Sequence, residues 1–147
     1  MSVGRICVRS VDTVAMGESV LVAARRMHSR NVGSLIVVDK GQRPLGFLTD
    51  RDLVVRVIAE CRDPNETIVS EVMSRFPRTI PEETPIEEAL GIMRCGPFRR
   101  VPVVADDGRL VGIVSLDDIL GLLAEEFGEI GRLLSKESPQ SFAGTID

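Results

Sequence analysis

Gly46-Phe47-Leu48-Thr49-Asp50-Arg51-Asp52-Leu53 reads as a short apolar strand that ends in a hydroxyl and feeds a helix. The same pattern returns 66 positions later as Gly112-Ile113-Val114-Ser115-Leu116-Asp117-Asp118-Ile119. The shift needs no gap. It also lays Ile6 on Val72, Thr13 on Thr79, Ala23 on Ala89, Met27 on Met93, Val37-Val38 on Val103-Val104 and Glu60 on Glu126. Gapless self-similarity at this period means one supersecondary unit used twice. Such a unit rarely buries its apolar face alone, so the expected object is the pair packed together, with function sought in what the two halves share.

Working outward from that stretch, each half reads strand, helix, strand, strand, helix. Val20, Ala23, Ala24 and Met27 fall on one helical face, as do Ile86, Ala89, Leu90 and Met93. Thr84-Pro85-Ile86-Glu87 predicts a helix start with a capping Thr, Pro at the first position and Glu at the third. The β-branched runs Leu35 to Val38 and Val101 to Val104 predict buried strands. Turn residues follow each, Asp39-Lys40-Gly41 and Asp106-Asp107-Gly108. Leu45 to Leu48 and Leu110 to Val114 then read as the returning strands of hairpins. The second helices carry Leu53, Val54, Val57 and Ile58 in one half and Ile119, Leu120, Leu123 and Phe127 in the other. The last helix continues through Ile130 and Leu134, against the cost of Gly128 and Gly131. The boundaries expected are 4–60 and 70–127 for the two units. Residues 61–70 would link them, and 128–147 would form a helical extension with a tail that is polar and loose from Ser135. The fold class is therefore mixed α and β: two β-α-β-β-α units related by a pseudo-two-fold.

The chain has 147 residues, 44% of them apolar, enough for a real core. Trp and Tyr are absent and the net charge is −4, which argues against nucleic acid as a partner. No run is long and apolar enough for a membrane span, and no signal-peptide core opens the chain, so a cytoplasmic protein is expected. Cys7, Cys61 and Cys95 form no paired motif, so neither a disulfide framework nor a zinc site is expected. Cys95 reads as a small apolar filler. His28 is the only histidine, follows core-facing Met27, and lacks the partners of a metal or nucleophilic site. Asp106-Asp107 lies in a turn and Asp117-Asp118 cannot share one face, so neither reads as an acid–base pair. No catalytic residue is expected.

The shared Thr49-Asp50-Arg51-Asp52 and Ser115-Leu116-Asp117-Asp118 elements have two readings. One is a capping box, with the hydroxyl at the cap and Asp at the third position. The other is a ligand site, with free helix N–H groups aimed outward and a carboxylate able to accept bonds from ribose hydroxyls. With these elements, the leading Thr13-Val14 and Thr79-Ile80 pairs, and Val101-Pro102-Val103-Val104, the chain resembles the CBS domain family from about Gly4 to about Phe127. The resemblance implies a tandem pair, or Bateman module, that binds an adenosine-type ligand such as AMP, ADP or ATP. Such a ligand would lie in clefts between the repeats.

Carried over residue by residue, the resemblance joins Thr13, Val14 and Ser34 to Ser115 and Asp118 in one cleft. It joins Thr79, Ile80 and Arg100 to Thr49 and Asp52 in the other. Ile36 stands where the second repeat has Pro102, and Arg100 where the first has Ser34, so the clefts should differ in affinity. Arg99 and Arg100 are the leading phosphate contacts, with Arg30 and Arg51 behind them; a solvated charge is the competing reading for all four, level with the first for Arg99 and Arg100 and preferred for Arg30. The implied function is a non-catalytic sensor that signals to a partner protein by conformational change. The competing readings are an interaction protein with vestigial clefts and, last, a nucleotide hydrolase. A homodimer is also implied. The second helices support it, since Val55 and Leu122 widen their apolar faces beyond what one core can cover.

Overall fold

A computed structural model describes residues 1–75, 78–96 and 99–136. The first half comprises β1 (Thr13–Ala15), α1 (Val20–Arg30), β2 (Ser34–Val38), β3 (Pro44–Thr49) and α2 (Asp50–Leu53). α2 loosens into a π-helical stretch over Val54–Ile58, where Ala59 N–H bonds the carbonyl of Val54 five residues back. A short α3 (Val69–Val72) and β4 (Ser74–Arg75) lead into β5 (Ile80–Pro81), α4 (Ile86–Cys95), β6 (Arg100–Val104), β7 (Leu110–Ser115) and α5 (Leu116–Lys136).

The 66-residue offset is kept in the fold. β3 and β7 coincide under it, as do β2 and β6, and both hairpins slip register at the same place, Val37/Val38 and Val103/Val104. In each half the first strand lies parallel to the second, which pairs antiparallel with the third. The halves diverge where Pro102 replaces Ile36. Ile36 donates its N–H to the Asp12 carbonyl at 3.0 Å. Proline has no N–H to donate, and β5 begins one residue later than β1 in the alignment, leaving Thr79 outside the strand and exposed.

The units exchange their leading segments. Val3, in a 3₁₀ turn over Val3–Arg5, is fully buried in the core of the second half, with Ile80, Ala89, Val103 and Ile119. Val69 and Val72 of α3 are buried in the core of the first, with Val14, Ala23, Val37 and Leu48. Their backbones dock alike: Val3 N–H bonds the Thr84 carbonyl and Val69 N–H the Glu18 carbonyl, both at 2.9 Å. Each sheet edge is then closed from the opposite half. Ser74 pairs with Phe47, and Val8 with Ile113. Gly46 and Gly112 make room for this. A Cβ there would stand 2.3 Å from the Ser74 carbonyl oxygen and 2.5 Å from that of Val8.

Four sequence expectations are corrected. Residues Val69 and Ser70 are not linker but helix, because Val69 fills the first core. Pro85 caps α4 rather than opening it, and Ile86 N–H finds the Met1 carbonyl at 3.1 Å, so no Thr84 cap forms. Of the apolar residues assigned to the second helices, only Val57 and Ile119 are buried, whereas Val54, Ile58, Leu120, Leu123 and Phe127 are exposed. Ser135 and Lys136 belong to α5, while the remainder of the expected loose tail lies outside the described residues.

Candidate functional site

Between the halves lies a cleft of about 250 Å³. Its floor is apolar: Ile36 and Phe47 from the first half meet Ile113 from the second, with Val32 alongside. Strand alternation produces this floor. Leu35, Val37 and Leu48 face the first core, so their neighbours Ile36 and Phe47 face the other way. Polar groups ring the floor: Ser10, Asp12 and Ser34 on one side, Arg100, Ser115 and Asp118 on the other. Ser34 and Arg100 open the two central strands, opposite Thr49 and Ser115 respectively, and so sit at the mouth.

Both Asp residues of the duplicated element close capping boxes. Asp118 Oδ2 accepts the Ser115 N–H at 2.9 Å, and Ser115 Oγ accepts the Asp118 N–H at 3.1 Å. Asp52 and Thr49 reproduce this at 3.0 and 3.1 Å. The expectation of free N–H groups is not met at the Thr49 start, where Asp50, Arg51 and Asp52 all donate, and at the Ser115 start Leu116 and Asp118 donate. Asp50 N–H donates to the Gly33 carbonyl and Leu116 N–H to that of Arg99, at 2.9 and 2.8 Å. Arg51 N–H donates to Asp50 Oδ1. A ligand here would meet side chains and a cap carboxylate rather than a bare helix terminus.

Ser34, Ser115 and Asp118 line this one cleft together. Arg100, assigned to the other cleft, lies in the wall of this one. Thr13 and Val14 line an adjoining polar groove of about 430 Å³ that shares Val11 and Asp12 with the cleft. Val14 is also a core residue, and Ile80 is buried in the second core. The groove carries Arg30, 3.8 Å from Asp12, and Arg26, clamped on Glu18 at 2.7 Å. That guanidinium holds the Glu18 carboxyl below the usual carboxylate range. Arg99 is exposed, 3.6 Å from Asp117, and does not line the cleft, and Arg51 is exposed. The site residues expected from the sequence did not include Val8, Ser10, Val11, Asp12, Val32, Phe47 or Ile113. Phe47 and Ile113 were signalled by strand alternation; the others carry no local signature.

For the second cleft that the resemblance implies, the offset puts Phe76, Pro77 and Phe98 where the first has Ser10, Val11 and Val32, and these three lie outside the described residues. On its described side, Asp52 Oδ1 stands 4.0 Å from Arg56 Nε. Arg56 also donates to the carbonyls of Val72 and Met73, at 2.8 and 3.1 Å. Its counterpart is Leu122, packed against the second core, so Asp118 has no such neighbour in that place. The two carboxylates therefore differ in electrostatic setting.

Among the described residues no group of three or more His, Cys, Asp or Glu side chains could hold a metal ion. Cys95 is exposed, which overturns its reading as a filler; Cys7 is the half-buried thiol, pushed up in pKa by burial. No described helix is long and apolar enough to cross a membrane.

The CBS domain profile matches residues 3–59 and again 69–125, so it spans most of the chain and hits each half once. The chain belongs to the CBS domain family. An uncharacterised Methanopyrus kandleri protein, MK0525, is 36% identical over 120 residues, which is 82% of this CBS pair and 61% of that relative's length. The structure of Hypoxic Response Protein I, solved with two coordinated zinc ions, superposes with a TM-score of 0.70 at 32% identity. It covers 82% of this chain and 97% of that one. CBSX2 from Arabidopsis thaliana, solved in complex with AMP, has a TM-score of 0.69 at 24% identity, over 84% and 96% of the two chains. At that identity the likeness shows the fold.

Proposed function

We propose that this CBS pair is a regulatory module that binds an adenosine-type ligand between its repeats. The observation that carries the reading is the composition of the first cleft. An apolar floor of Ile36, Phe47 and Ile113 suits a planar base, and Asp118 at its rim suits vicinal ribose hydroxyls. Arg100 supplies a guanidinium for a phosphate. The AMP seen in CBSX2 accords with this, although the reading rests on the cleft's own residues. Ser34 and Ser115 complete the polar rim on opposite sides. Thr13 and Arg30 in the adjoining groove are placed to meet whatever extends beyond the cleft. Thr49, Asp52, Thr79 and Arg51 belong to a second, weaker site, because Arg56 already attends Asp52. Ligand bridging the halves favours one relative orientation of the repeats, and that shift is the signal passed to a partner protein or a second copy. Tandem CBS pairs are regulatory modules rather than enzymes, and no catalytic activity is proposed.

Calorimetry with adenosine, AMP, ADP and ATP tests the reading, with mass spectrometry of small molecules retained on purification. Binding of at least one compound, weakened by Asp118→Ala, is the expected result. No heat with any of them and no retained nucleotide would leave the alternative, an interaction protein whose two Asp residues serve only as helix caps. The capping boxes are the observation in that alternative's favour.

A further inference from the structure

The first cleft has a counterpart, because the 66-residue offset holds in both hairpins and in both caps. Thr49 and Asp52 stand there for Ser115 and Asp118. The frame is repeated but its charge is not. Asp12 in the wall of the first cleft answers to Arg78, Ser34 at its mouth to Arg100, and Leu122, on the helix after Asp118, to Arg56. All three exchanges run toward positive charge. Asp50, where the other helix has Leu116, runs against them, but its carboxylate is engaged locally. Its Oδ1 accepts the Arg51 N–H at 2.8 Å, and its Oδ2 would stand 3.0 Å from a Cβ on Gly33.

In the first cleft acid and base are matched. Asp12 has Arg30 at 3.8 Å, and Asp118 shares the walls with Arg100. That balance suits a nucleoside or one phosphate and offers nothing to a second or third. At the counterpart, Gly96 replaces Arg30, but no Asp12 is there for a base to balance. Asp52 already has Arg56 at 4.0 Å, which leaves Arg78 and Arg100. Both are exposed, and neither has an ion-pair partner among the described residues. Arg100 belongs to both places. It lines the first cleft, and the offset relates it to Asp52 as Ser34 is related to Asp118. An uncharged ligand in the first cleft therefore leaves that guanidinium to the second site. Guanidinium forks match phosphate oxygens, and two of them beside a carboxylate attended by Arg56 hold more positive charge than one phosphate can use. We propose that the two sites sort ligands by charge, the first taking a nucleoside or its monophosphate and the second, at Arg78 and Arg100, a nucleoside polyphosphate. This rests on the reading of the clefts as adenosine sites and deepens it. The second site, weaker for the ribose, gains with each phosphate, and its affinity falls the more steeply as salt is added.

The experiment uses the full chain in magnesium-free buffer. ATP titrated calorimetrically into protein saturated with labelled adenosine should bind one equivalent per chain, and equilibrium dialysis should show the adenosine still bound. Arg78→Ser should weaken that ATP binding at least about tenfold and leave the adenosine affinity unchanged. No binding of either compound overturns the adenosine reading and the sorting together. ATP that only displaces adenosine overturns the sorting and keeps the first cleft. ATP bound beside adenosine but indifferent to Arg78→Ser overturns the place given to the second site. Inorganic tripolyphosphate that binds the adenosine-filled chain as tightly as ATP overturns the preference of that site for a nucleotide.

Discussion

At Asp118 one carboxylate oxygen accepts the Ser115 N–H while the side chain lines the cleft, so one substitution probes stability and binding together. Asp118→Ala should lose the cap, costing about 1 kcal/mol of folding stability. It should also lose about 1.5–3 kcal/mol of adenosine binding if the carboxylate takes the ribose. Melting curves and calorimetry on the same variant separate the two, and an unchanged affinity would confine Asp118 to capping. Arg100 and Arg99, adjacent in sequence, should part company. Arg100→Ala should weaken AMP more than adenosine, with the difference shrinking as salt is added, because attraction to an exposed guanidinium is screened over about 10 Å at 0.1 M. Arg99→Ala should leave both affinities unchanged, since Arg99 faces Asp117 outside the cleft. Equal losses for the two arginines would place the phosphate elsewhere.

Among the elements, the hairpins and the first helix make separate demands. Gly46→Ala and Gly112→Ala each push a Cβ into a carbonyl oxygen of the crossing segment, at 2.3 and 2.5 Å. Backbone must move, and each change should destabilise by about 1–3 kcal/mol in chemical denaturation. Gly17→Ala, with nothing within 4 Å of the new methyl, is the control and should be near neutral. On α1, Arg26 bonds the Glu18 carboxylate and the Thr13 carbonyl, where the second half has Ile92 and no ion pair. Glu18 has a depressed folded pKa, so its contribution is present above the ordinary carboxylate value and is lost as pH falls through the folded one. Arg26→Met should flatten that part of the acid limb of the stability–pH curve. The effect is small because both side chains are about a third exposed (31% and 34%).

For the whole molecule, the exchanged segments tie the two halves into one cooperative unit. Val72→Ala, although it lies past the first repeat, should destabilise the first core, and Val3→Ala the second, each by about 1.5–3 kcal/mol. Because each core borrows from the other half, unfolding followed by circular dichroism and by calorimetry should give one coincident transition. Two resolved transitions would show the halves to be independent despite the exchange.

The duplication at 66 residues is a local matter repeated. Helical spacing on α1 and α4, β-branched runs in β2 and β6, and the Thr49/Asp52 and Ser115/Asp118 caps each act within a few neighbouring residues. The sequence therefore carried them, and with them the fold class, whereas the grouping of Ser34 with Ser115 and Asp118 came only from the family resemblance. Only tertiary structure decided that Val3 and Val69 cross over, because their partners lie far along the chain and no periodic pattern marks the crossing. For the same reason Arg100 could not be assigned to its cleft beforehand. It shares a strand position with Ser34 under the offset, and only packing of the halves brings both to one mouth. Composition showed the excess of apolar residues on the second helices. Which of them stay exposed depends on how far each helix outruns the body beneath it, and α5 outruns its own by most of its 21 residues.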